Sequence, residues 1–135
     1  MKKGNITEAQ LDEVLGIIVD PKALINIDER DVRYVMSGKS GIMYYTQQGD
    51  KDKREFIKGT FQELLEDPFV KKCHYMLLSM GMPADAPIEM NDIDYINNFL
   101  GSIANDALEA KWGIRKNGAG QGMTIYLICT NDILK

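Results

Sequence analysis

Helix-type and strand-type stretches alternate along this 135-residue chain, and their order constrains the fold more than any single motif does. Thr7-Glu8-Ala9-Gln10 fits a capping box, with Ile6 and Leu11 placed as a hydrophobic staple across it. Leu11, Val14, Leu15 and Ile18 then recur at helical spacing, and Asp20-Pro21 ends the helix, which predicts a lead-in helix over about 7–19. Asp28 is placed to cap a second helix carrying Val32, Val35 and Met36. Ile42–Tyr45 has strand composition, and a third helix follows on Phe56, Ile57, Phe61, Leu64 and Leu65, stopped by Asp67-Pro68. His74–Met80 is a buried-type strand, and Asn91 stands where it would cap a fourth helix bearing Ile93, Ile96, Phe99, Leu100 and Ile103. Glu109–Arg115 and Met123–Thr130 are the last two strands, with Asn117–Gly122 expected to join them as a hairpin loop. Lead-in helices followed by β-α-β-α-β-β predict an α+β fold: a four-stranded mixed sheet with helices packed on one face. With no linker, repeat or low-complexity segment, residues 1–135 are expected to form a single domain.

Charge and composition exclude several classes of function. The net charge is −4, so no basic field attracts nucleic-acid phosphates or an anionic membrane surface. No apolar run approaches the ~18–20 residues a membrane helix needs. The opening MKKGNITEAQ carries two lysines with no apolar stretch behind them, which does not fit a secretory signal. A cytoplasmic chain is expected, and a capping box this near the first Met suggests one built to stand alone, the alternative being a domain of a longer protein. Cys73 and Cys129 are expected as two buried free thiols in a reducing compartment. One histidine, His74, and two cysteines without Cys-x-x-Cys spacing make no zinc site, and His74 is expected simply to start a strand.

Most motifs that invite a chemical reading lack the neighbours that the chemistry needs. Gly118-Ala119-Gly120-Gln121-Gly122 resembles a phosphate cradle only in its glycines. It lies between two strands, no helix follows to aim N–H groups at a phosphate, and no Lys-Ser/Thr comes after it. Gly38-Lys39-Ser40 precedes a strand and is a turn. The acidic cluster Asp28, Glu29 and Asp31 stands out. Acids in a first helical turn satisfy free N–H groups and complement the helix dipole, which accounts for them without chemistry. Asp28 and Asp31 also share one side of the turn at i, i+3, a placement able to polarise a water or hold a cation if something else supplied the substrate.

At these residues the chain resembles a known family. Leu24-Ile25-Asn26-Ile27-Asp28-Glu29-Arg30-Asp31-Val32-Arg33-Tyr34-Val35-Met36-Ser37 is similar to the synergy loop of FtsZ, the bacterial tubulin-like cell-division GTPase, which writes it L-I-N-x-D-x-x-D-[VI]-x-x-V-M-S. The resemblance runs over roughly residues 9 to 130. It takes in Ile42–Tyr45, Leu64-Leu65-Glu66-Asp67, the strand around Met76–Ser79 and the closing strand Thr124–Thr130. Departures are Ala23 where a glycine usually opens the loop (about 23–31), one residue inserted before Gly41, and a glycine-rich last connection. The G-G-G-T-G-T-G phosphate signature and the GTP-binding domain around it have no counterpart.

The resemblance implies an FtsZ/tubulin C-terminal-type domain without the GTP-binding domain. In that family the loop of one subunit supplies two acids to the nucleotide site of the next. Carried over, Asp28 and Asp31 are those acids and Asn26 helps position the loop. No catalytic site is complete within this chain, no cofactor is expected, and GTP would be present only if a partner subunit held it. Three readings follow: a non-enzymatic domain that docks on an FtsZ-like partner and modulates or caps polymerisation; a donor of acidic residues in trans to a partner's GTPase site; or a self-associating domain that binds a small ligand or a protein unrelated to division. An enzyme acting alone is disfavoured, because no nucleophile–base pair can be named.

Overall fold

The strand Met123–Thr130 lies in the middle of the sheet, because neither of its faces can be left in water. Met123, Ile125, Leu127 and Cys129 alternate with Thr124, Tyr126, Ile128 and Thr130, and every residue except Tyr126 is buried. The structure, a computed structural model, describes residues 1–7, 10–19, 27, 29–36, 41–48, 53–84, 89–103, 109–118 and 122–130. In chain order the elements are β1 (Lys2–Ile6), α1 (Leu11–Ile18), α2 (Glu29–Met36), β2 (Gly41–Gln48), α3 (Lys53–Leu65), α4 (Pro68–Lys71), β3 (Tyr75–Met82), α5 (Met90–Gly101), β4 (Glu109–Lys116) and β5 (Met123–Thr130).

The sheet order is β1-β2-β5-β3-β4, with β3 and β4 parallel and the other neighbours antiparallel. The α+β class expected from the sequence is therefore present, with three differences. The sheet has five strands rather than four, because Lys2–Ile6 pairs with Gly41–Tyr45. β4 and β5 do not form the expected hairpin, because β3 lies between them. Helices also cover both faces rather than one. The odd-numbered residues of β5 and the even-numbered residues of β3 (Met76, Leu78, Met80, Met82) pack against Ile57, Phe61 and Leu64 of α3 and Ile96 and Phe99 of α5. The Phe61 and Phe99 rings stack there at 4.5 Å. On the opposite face, Leu77 and Ile128 meet Ile6, Ile18, Ile27 and Val32, so α1 and α2 form the second layer. Each large side chain buried this way contributes about 1.5–3 kcal/mol.

Helix starts differ in detail. Half of the expected box at Thr7 forms: Gln10 Oε1 accepts the Thr7 N–H at 2.8 Å. The Gln10 amide is bonded to the Thr7 carbonyl (2.9 Å) instead of to the hydroxyl, and the helix proper begins at Leu11. The cap of α5 is Glu89, in a box with Asp92, and not Asn91. Asp67-Pro68 does stop α3, and it also starts α4, with Asp67 Oδ1 accepting the Phe69 N–H at 2.9 Å. The other oxygen, Oδ2, accepts from Lys3 Nζ and from the Tyr44 hydroxyl, both at 2.8 Å, so one carboxylate ties β1, β2 and α4 together.

Both cysteines are buried free thiols in the first apolar cluster, as expected. Cys73 donates to the Tyr75 carbonyl at 2.7 Å. The contact with Cys73 and burial push the Cys129 thiol above its ordinary range, and neither thiol is exposed to solvent or reagent. Native protein is expected to resist a thiol-specific chromogenic disulfide over minutes, whereas denatured protein should release two equivalents at once. Rapid labelling of either cysteine in the native state would contradict this packing.

Candidate functional site

The stretch that carries the acidic cluster is anchored from beneath. Ile27 and Val32 are 2 % and 0 % exposed and sit in the apolar cluster formed with Leu77 and Ile128. This fixes where the chain enters α2 and which side of the helix turns outward. Farther along, the Tyr34 ring meets Tyr75 edge-on at 5.8 Å, and its hydroxyl donates to Glu109 Oε2 at 2.6 Å, tying α2 to β3 and β4. Glu29 is engaged within the helix, accepting from Arg33 Nε at 2.9 Å and from its terminal nitrogen at 2.7 Å. That exposed i,i+4 pair supports the helix by only a few tenths of a kcal/mol.

Asp31 lies in the first turn of α2 and is half-buried, on a helix held at both ends. Asn26 and Asp28 lie outside the described residues, so the expected i, i+3 pairing of Asp28 with Asp31 is not part of this geometry. Among the described residues no three His, Cys, Asp or Glu side chains group as a metal site would require. His74 lies just before β3, its N–H bonded to the Thr130 carbonyl at 3.3 Å, consistent with a strand-start role. The glycine-rich segment is partly described: the Asn117 side chain donates to the Gly122 carbonyl at 2.8 Å, and Gly122 takes a positive φ of 66°. This fits a connection between strands.

Two features were not anticipated from the sequence. The Tyr34–Glu109 clamp joins residues 75 positions apart, and no local pattern signals it. The second is a charged cluster at the start of α5. Lys53 Nζ lies 3.0 Å from Asp92 Oδ2 and 3.2 Å from Glu89 Oε1. Burial pulls the Lys53 ammonium down, but its bonds to Asp92 and Glu89 outweigh that and hold it above its ordinary range. Asp92 is wholly buried, and its second oxygen, Oδ1, has no hydrogen-bond partner. The cluster joins the start of α3 to the start of α5, and Lys53 already neutralises it, so its role is structural.

Among the described residues, no helix is long and apolar enough to cross a membrane. No protein-family model and no curated protein matches the chain. Solved structures do. An empty FtsZ dimer from M. jannaschii superposes with a TM-score of 0.64 at 17 % identity, over 90 % of this chain and 36 % of the other. The W319Y mutant of M. jannaschii FtsZ gives 0.64 at 19 %, covering 92 % and 38 %. TubZ of Bacillus thuringiensis serovar israelensis, in GDP-form protofilaments, gives 0.64 at 15 %, covering 90 % and 33 %. The fold is thus FtsZ/tubulin-like, of the C-terminal-domain type that the sequence resemblance implies, and the chain spans about a third of the length of the structures it matches.

Proposed function

We propose that this chain, with its FtsZ/tubulin-like fold, is a non-enzymatic docking domain that binds the nucleotide face of an FtsZ-like partner and modulates or caps its polymerisation. The observation that carries the reading is the pairing of that fold with a firmly seated α2. Ile27, Val32 and the Tyr34–Glu109 bond hold the helix whose first turn bears Asp31. Asn26 and Asp28 come just before that helix in the sequence. Head-to-tail contacts are heterologous and propagate only when each subunit carries both complementary faces. A subunit offering the loop face alone would occupy one filament end and stop growth there.

Polymerisation of an FtsZ with GTP, followed by light scattering, tests the proposal. Substoichiometric addition of this protein is expected to lower polymer mass, and unchanged polymer mass and GTP turnover at equimolar protein would refute it. The same assay separates a second reading, in which Asp28 and Asp31 act in trans on a water at the partner's nucleotide. Under docking alone, Asp31→Ala retains most of its effect on polymer mass. Under trans-activation, the variant still binds while the GTP hydrolysis it stimulates collapses.

A further inference from the structure

On the α1/α2 side of the sheet, one cross-strand row runs Gly4, Met43, Ile128, Leu77, Lys111. Met43, Ile128 and Leu77 reach into the second apolar cluster, while Gly4 has no side chain to offer, and a Cβ built there meets nothing within 4 Å. The next row places Lys2 beside Tyr45 and Tyr45 beside Tyr126. The gap over Gly4 opens as a cleft of about 340 Å³, lined by β1 from Lys2 to Asn5 and by Met43, Tyr45 and Tyr126.

The wall of this cleft is pre-set. The Tyr45 and Tyr126 rings pack at 4.6 Å, and the Arg115 guanidinium lies 5.4 Å from the Tyr126 centroid on the same sheet. Arg115 is itself fixed by bonds to Ser79, Asn117 and Thr124. Aromatic rings and a methionine thioether favour a flat apolar guest, and rings already held in place need no ordering when it binds. Among the described lining residues the charges are lysines, with no carboxylate, and Lys3 turns away to Asp67. Lys2 is therefore the cation left at the rim, exposed and placed to meet an anionic group.

We propose that this cleft over Gly4 binds a small planar aromatic anion, its ring against Met43, Tyr45 and Tyr126 and its anionic group on Lys2. The volume is at the small end for ligand sites and suits one fused bicyclic ring. The proposal stands apart from the docking reading, since none of these residues lies in the α2 segment.

Calorimetric titration of the full chain with 1-naphthoate, and with its neutral analogue 1-naphthamide, tests it. One-to-one binding of naphthoate is expected, with a Kd on the order of 0.1–1 mM for so small a ligand. A Cβ at Gly4 meets no atom within 4 Å, so Gly4→Leu is expected to occupy the cleft and abolish binding while keeping the wild-type unfolding midpoint. Lys2→Gln should weaken naphthoate by about threefold at low salt, the amount an exposed charge contact supplies, and leave naphthamide unchanged. Absence of naphthoate binding at several millimolar, binding that survives Gly4→Leu, or equal affinity for the neutral amide would each overturn the assignment.

Discussion

Replacing Gly81 by valine is expected to destabilise the protein by about 3–5 kcal/mol, a large share of the stability of a domain this size. A Cβ at this position runs into Asn117 Oδ1 and Thr124 Oγ1. Both of those side chains are buried and engaged. Asn117 Oδ1 accepts from Arg115 at 3.1 Å, Thr124 Oγ1 accepts from Arg115 at 3.2 Å, and Asn117 Nδ2 reaches Thr124 Oγ1 at 3.3 Å. Overpacking alone costs about 1–3 kcal/mol, and each buried polar group displaced from its partner adds about 1–3 kcal/mol. Urea unfolding reads the effect as a lowered midpoint at unchanged slope. Gly59→Ala is the matched control. It lies in α3 with open space around it, so the same kind of change there should stabilise by about 0.5–1 kcal/mol. A Gly81→Val protein as stable as wild type would mean that the Arg115 cluster can rearrange freely.

Asp67→Ala is expected to cost about 2–4 kcal/mol. The helix cap on Phe69 accounts for about 1 kcal/mol, and leaving the Tyr44 hydroxyl without its acceptor for about 1–3 kcal/mol. The exposed Lys3 contact adds little. The same residue gives a pH signature. Burial raises the Asp67 carboxyl, but donors from Lys3, Tyr44 and Phe69 outweigh it and hold the group below its ordinary range. A carboxyl depressed in the folded state contributes stability that is fully present above its unfolded value, about 3.9. That contribution is lost as pH falls through the folded value. Stability measured from pH 6 down to pH 2 should fall less steeply below pH 4 for Asp67→Asn than for wild type, and parallel curves would exclude Asp67 as an acid-sensitive tie.

Where side-chain periodicity carried the information, the sequence was legible. Met123–Thr130 carries an apolar residue at every odd position and is a strand over those residues, and the apolar spacing of Phe56 to Leu65 and Ile93 to Ile103 lies on α3 and at α5. β1 was not legible, because Lys2-Lys3-Gly4-Asn5 has no apolar face. It is a strand because its backbone completes the edge of β2, and only Ile6 is buried. The expected hairpin fails for a related reason: proximity in sequence and a glycine-rich connection suggest pairing, but β3 competes for the same edge of β5 and takes it. The cap of α5 was misplaced because glutamate is a weak cap alone and works here through its reciprocal bond with Asp92. Of the acidic site, the helix and its first-turn Asp31 were readable, whereas the Tyr34–Glu109 bond that seats it depends on strand order. Asn26 and Asp28 lie outside the described residues.

The central place of β5 has a consequence for the chain as it leaves the ribosome. Both β2 and β3 need residues 123–130 as their neighbour, so the strands made earlier must wait for one made much later. Until it emerges, β2 and β3 each lack the neighbour that covers one edge in the folded sheet. Such late, long-range pairing slows folding and lengthens exposure to aggregation. Holdase-type chaperones should therefore influence the soluble yield of this protein more than they would for a helical bundle of the same length.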